Sequence, residues 1–173
     1  VVEGASTYLD VCLIFLTATF FMTLYKEAGG VAYIVRQIVR AFHAHRFICL
    51  ILLCFVMLIP GAITGSGATA VLTVGALVGA VLMAMGVPEN KRVALVFLLA
   101  AMSAACPPIN LWAMMAAAGA NMPYVGFTLP LAVLAIAGAL FSTFYLAGRG
   151  KPVDLDTALA ELPEADRKST RLN

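Results

Sequence analysis

The sequence predicts an all-α integral membrane protein in which transmembrane helices accompany a re-entrant helical hairpin and a discontinuous helix. Three observations carry that prediction. Of 173 residues, 62% are hydrophobic and only 12% charged, with a mean hydropathy of +0.98; a water-soluble domain needs more charge to cover its surface. The run 47–87 holds no Asp, Glu, Lys or Arg, yet is interrupted at residues 60–70 by PGAITGSGATA, rich in glycine and hydroxyls. A second apolar run is interrupted by Cys106, Pro107, Pro108, Ile109 and Asn110. Crossing a hydrocarbon core of roughly 30 Å takes about 20 helical residues, and a helix break at that depth persists only where protein or a cavity satisfies its polar groups.

Composition also excludes several classes. A net charge of +2 is too weak to suggest nucleic acid as a partner. Cys12, Cys49, Cys54 and Cys106 all fall in apolar segments without CxxC spacing and read as small buried hydrophobes. No Ser-His-Asp set, paired carboxylates, HExxH or phosphate loop is present. The chain is not expected to be an enzyme. It begins with Val1 rather than Met, which predicts a piece of a longer protein or a processed product, and Glu3 with no basic n-region argues against a signal peptide.

Residues 1–30 hold a short polar lead and a first, scaffold-like span over 7–25 that contains Asp10. A carboxylate in lipid is expensive, so Asp10 either reaches the headgroups or faces protein. Lys26, Glu27, Gly29 and Gly30 supply the chemistry that ends the helix. In residues 31–46, Val31, Ile34, Val35, Ile38, Val39 and Phe42 recur at helical spacing with Arg36, Gln37 and Arg40 among them. This predicts an amphipathic basic helix lying at the interface, its long side chains snorkelling to headgroups: a rigid connector or a plain surface linker. His43, His45 and Arg46 read as an interfacial basic cluster, since histidines at i and i+2 do not share a helix face.

Residues 47–88 form the hairpin candidate, with its tip at 64–67. The first arm, 47–63, is rich in Leu, Ile and Phe and suits exposure to lipid or a large apolar surface. The second, 68–85, is rich in Gly, Ala and Val and suits close helix packing. Glycines allow close approach and conformations a helix cannot take, while hydroxyls and freed carbonyls are good ligands for hard cations. Two half-helices meeting at Thr64, Gly65, Ser66 and Gly67 are one of the ways secondary transporters build sites. The alternatives are a short loop between two full spans, or small-residue packing of one helix on another.

Residues 89–120 form the broken helix, apolar over 93–105 and 111–118. Two consecutive prolines remove two amide donors and leave upstream carbonyls without their usual partners. Asn110 either completes a site or satisfies that broken backbone. Residues 121–148 hold the last span, with Trp112, Tyr124 and Tyr145 as interface markers, or Trp112 as core. Residues 149–173, from Arg149 and Lys151 through Asp166 and Arg171, form a polar cytoplasmic tail with a short helix that frays toward Asn173. Basic residues bias loops to the cytoplasm. Arg36, Arg40 and Arg46, then Lys91 and Arg92, then Arg149 and Lys151 are consistent with one shared side and Val1 outside.

The run Gly61-Ala62-Ile63-Thr64-Gly65-Ser66-Gly67-Ala68-Thr69-Ala70, followed by Gly75, Gly86 and the Pro107-Pro108 break, resembles the large membrane subunit of tripartite ATP-independent periplasmic (TRAP) transporters, within the ion-transporter superfamily. The resemblance spans residues 9–146 and the first of that subunit's two inverted halves, so it implies one half of an inverted-repeat elevator transporter. It further implies a multi-pass protein of the bacterial inner membrane, N-terminus periplasmic, that carries small carboxylates, including dicarboxylates, by symport with Na+. The implied ion-binding residues are Thr64, Gly65, Ser66 and Gly67; the implied substrate-binding residues are Ser66, Thr69, Pro107, Pro108 and Asn110, with Gly61 and Gly75 structural. Implied partners are the second inverted half on the same or a separate chain, a small membrane subunit, a periplasmic substrate-binding protein and the lipid bilayer. Members of that family usually carry Ser where Thr64 stands, and commonly Ser where this chain has Ile109, which removes one hydroxyl. The rival expectation is a non-transporting structural or assembly subunit of a larger membrane complex, in which both breaks are only kinks.

Overall fold

The computed structural model describes residues 9–162, which are helical with no strand among them. The polar lead before residue 9 and the fraying expected toward Asn173 lie outside these residues. The order is α1 (Leu9–Glu27), α2 (Gly30–Phe42), α3 (Arg46–Thr64), α4 (Gly67–Ala84), α5 (Glu89–Ala105), α6 (Leu111–Gly119), a 3-10 turn (Tyr124–Phe127), α7 (Thr128–Ala147) and α8 (Leu155–Glu161). Within α4, residues Val71–Gly75 form a π-helical stretch. Among the described residues, Arg46–Thr64, Gly67–Ala84 and Tyr124–Ala147 are long and apolar enough to cross a membrane. The large apolar side chains left on the outside, among them Leu72, Phe97, Leu129 and Phe141, suit that setting. The fold is that of a helical membrane protein.

α3 and α4 form a helical hairpin. Gly65 and Ser66 connect them at the tip, and at the open end the Arg46 guanidinium donates to the Met85 carbonyl at 3.0 Å. The arms therefore run antiparallel. Their relative burial decides between the two settings expected for the first arm, lipid or a large apolar surface. The Leu- and Ile-rich first arm is the most enclosed of the candidate spans, more so than α4 and far more than the last span. α3 is the centre of the bundle: Cys49, Leu50, Leu53, Cys54 and Met57 are buried in a core shared with Val74, Val78, Val81 and Leu82 of α4 and Leu95 and Leu99 of α5. Bulky side chains fill the space around a central helix, and the small residues of α4 let it lie close while leaving its outer face thinly covered.

One of the basic residues before the hairpin departs from expectation. Arg46 is not an interfacial cation; it is buried. Besides Met85, Nη1 donates to the Lys151 carbonyl, and Nη2 to the carbonyls of Ala147 (2.5 Å) and Arg149 (3.2 Å). It thus closes the hairpin base and caps the end of α7, where unpaired carbonyls concentrate negative partial charge. Arg36 does the same for α8, donating from Nη2 to Leu159 at 3.0 Å and Leu162 at 3.1 Å. The polar chain after Gly148 forms the expected short helix, α8, and over its described part it is docked. Val153, Ala158 and Leu162 are buried in the main core, and the amides of Val153 and Asp154 bond to the carbonyls of His43 and Ala84. The connector α2 buries Val31, Val35 and Val39 and leaves Arg40 exposed, as an amphipathic helix does.

Candidate functional site

Both helix breaks follow from local chemistry. α3 ends because Gly65 adopts the left-handed conformation (φ 67°, ψ 17°), with its amide bonded to the Gly61 carbonyl at 2.6 Å. That geometry suits a residue without Cβ. Ser66 is extended (φ −131°) and its side chain caps the next helix by accepting from the Thr69 amide at 3.4 Å. α5 ends at Ala105 because Pro107 and Pro108 provide no amides for the carbonyls four residues earlier. Asn110 then starts α6 by accepting from the Ala113 amide at 3.0 Å.

These breaks, far apart in sequence, meet. The Ile109 amide donates to the Ala62 carbonyl at 3.0 Å, so the extended link of the second break satisfies the end of the first arm. A Cβ on Gly65 would lie 2.9 Å from the Leu111 amide nitrogen and 3.1 Å from the Ile109 carbonyl oxygen. A Cβ on Gly67 would lie 2.7 Å from the Ala100 carbonyl, and one on Gly61 would lie 2.5 Å from the Ser103 Cβ. Glycine is required at these positions because backbone and short side chains occupy the space a side chain would take. Ala62, Cys106 and Ala135 form a small buried cluster beside the contact.

The polar groups fall into two sets. Thr64 is fully buried; its hydroxyl donates to the Pro60 carbonyl at 2.7 Å and accepts from the Ser66 amide at 3.3 Å. Asn110 is buried, and its amide donates to the Ala105 carbonyl at 3.1 Å while its oxygen caps α6. Both side chains are occupied in mending the backbone, one of the two roles expected for Asn110. Thr69 is buried, and its carbonyl accepts from the Thr73 hydroxyl at 2.6 Å, inside the π-helical stretch. In the second set, the carbonyls of Ile63 and Thr64 at the tip and of Ala104 before the prolines take no backbone hydrogen bond among the described residues, and Ser66 is half-buried with a hydroxyl proton to give. Pro107 is half-buried and Pro108 exposed. Gly75 lies away from the tip, against Val96 of α5.

The arrangement brings together two helix C-termini, at Thr64 and Ala105, and two N-termini, at Gly67 and Leu111. C-terminal carbonyls attract cations and N-terminal amides attract anions. Three participants escaped sequence reasoning. Ser103 is fully buried against Gly61, its hydroxyl bonded to the Ala100 carbonyl at 2.7 Å. The Ile109 backbone bridges the two breaks. Tyr124 is not only an interface marker: its hydroxyl accepts from the Asn110 amide at 3.3 Å. Trp112 is exposed rather than core. A hydroxyl four residues before a proline was the available signal for Ser103; nothing local marks Tyr124. Comparison of the chain with protein-family models, curated proteins and solved structures finds no match.

Proposed function

We propose that the chain is the membrane component of a sodium-coupled secondary transporter for small carboxylates, to which it contributes one hairpin tip and one broken helix. The observation that carries this reading is the packing of the Gly65–Ser66 tip against the 106–110 break. Discontinuous helices meeting at one place are how transporters aim half-helix dipoles and freed carbonyls at their ligands. In this scheme Na+ is held by tip carbonyls such as those of Ile63 and Thr64, with Gly65, Ser66 and Gly67 shaping the loop. The carboxylate lies toward the N-terminal amides at Gly67 and Leu111, with the Ser66 hydroxyl as a donor and Thr69, Pro107, Pro108 and Asn110 framing it. Preorganised carbonyls replace the ion's water, and sodium favours a closed tip because it binds that state more tightly. No covalent step is involved.

The likeness to the TRAP large membrane subunit supports this reading and with it the elevator architecture, a second inverted half, a small membrane subunit and a periplasmic binding protein. It also supports a bacterial inner-membrane location with a periplasmic N-terminus. Packing beside the tip supports re-entry of the hairpin. Ala62, just before the tip, packs with Ala135, which lies midway along the run Tyr124–Ala147. The rival reading, a non-transporting structural subunit, is favoured by the local engagement of the Thr64 and Asn110 side chains.

Uptake by the intact assembly in liposomes separates the two. Ser66→Ala is expected to lower sodium-driven carboxylate uptake by about tenfold, the order set by losing one hydrogen bond to a charged group, and to raise the sodium concentration needed for half-maximal uptake. Unchanged uptake and sodium dependence, at an unchanged amount of assembly, would favour the structural subunit.

A further inference from the structure

The outer face of α4 carries a cavity that neither the tip nor the break uses. Val71, Gly75 and Gly79 recur at every fourth residue along α4, and α5 presents Arg92, Val96 and Phe97 opposite them; the space between is about 330 Å³. A Cβ on Gly75 would touch Val71 and Val96 at 3.3 Å, whereas one on Gly79 would have nothing within 4 Å. The groove is therefore tight at Gly75 and open at Gly79. Its walls are apolar apart from Arg92. Arg36 and Arg46 donate to carbonyls, while among the described residues the Arg92 guanidinium donates to none. Arg92 sits in the first turn of α5, just after the hairpin base that Arg46 closes at Met85, so the cation stands at the basic end of the bundle and the apolar walls run toward the tip.

The space fits a single hydrocarbon chain, and a cation at one end of an apolar groove complements an amphiphile with an anionic head. We propose that the groove holds one acyl chain of an anionic phospholipid, its phosphate against Arg92 and its chain between α4 and α5 from Gly79 toward Val71. The assignment rests on the chain lying in a membrane and is independent of transport.

Native mass spectrometry of the intact assembly, re-equilibrated with vesicles of phosphatidylglycerol or of phosphatidylcholine, tests it. The unmodified protein is expected to retain phosphatidylglycerol in preference to phosphatidylcholine. Arg92→Gln is expected to reduce that preference about fivefold, the order for one basic residue at a membrane surface. Gly79→Leu, whose side chain enters open space, is expected to abolish retention of both lipids. Equal phosphatidylglycerol retention by the unmodified protein and Gly79→Leu overturns the proposal, as does a headgroup preference untouched by Arg92→Gln. Protein instead of lipid crosslinked to a photoreactive residue at position 79 overturns it as well.

Discussion

Arg46 is buried with backbone carbonyls for partners. A guanidinium suits this place because its donors fan out in a fixed plane and can reach the ends of several elements at once. Removing it would strand the buried carbonyls of Met85 and Ala147, and one unsatisfied buried group already costs about 1–3 kcal/mol. Arg46→Ala is therefore expected to destabilise the protein by about 3 kcal/mol or more, read as a lower midpoint of thermal unfolding in lipid nanodiscs. Arg46→Lys keeps the charge but not the fork, and is expected to fall between. A Lys variant as stable as the parent would show that charge alone closes the hairpin base. In the sequence Arg46 follows His43 and His45 and reads as part of an interfacial basic cluster, because the acceptors that bury it come from the distant turns at 85 and 147–151.

At the scale of elements, the breaks were the most legible features. The arms expected over 47–63 and 68–85 are Arg46–Thr64 and Gly67–Ala84, and the halves expected over 93–105 and 111–118 are Glu89–Ala105 and Leu111–Gly119. Gly65, Pro107 and Pro108 set these ends by backbone geometry that acts within a few residues. Which face meets which neighbour was not legible. In a chain with so few polar residues, periodicity does not distinguish a face against lipid from a face against protein, so both settings stayed open for the first arm, which lies against the apolar core. The contact of the two breaks was only an expectation for the same reason: Ile109 and Ala62 are apolar and meet through their backbones. The short helix expected after Gly148 is present as α8, but its charges gave no sign of its docking. α8 buries Ala158 and is held by Arg36. Ending the chain at Gly150 is expected to expose the hairpin base, raising amide hydrogen exchange at residues 83–87 at least tenfold while leaving residues 61–67 unchanged. Equal exchange at the base with and without α8 would show that the strap is passive.

Across the whole molecule, one end is basic and clasped and the other carries the irregular backbone. The carbonyls of Met85, Ala147 and Lys151 converge on Arg46, placing the hairpin base and the end of the last helix together, as the shared side expected for the three basic clusters requires. From that base α3 rises roughly 28 Å, to a tip whose neighbour Ala62 shares a small buried cluster with Cys106 and Ala135. Gly65, Ser66 and the 106–110 link then stack the ends of four helical segments on one another. Opposite partial charges so close together suit a cation and an anion bound side by side. The most direct measurement is hydrogen–deuterium exchange of the intact assembly in nanodiscs, with sodium and then with potassium at equal ionic strength. If the tip and the break hold one ion between them, residues 61–70 and 104–112 gain protection together in sodium and not in potassium. Exchange at both segments that is indifferent to sodium would contradict the site, and would leave two kinks packed on each other for structural reasons alone.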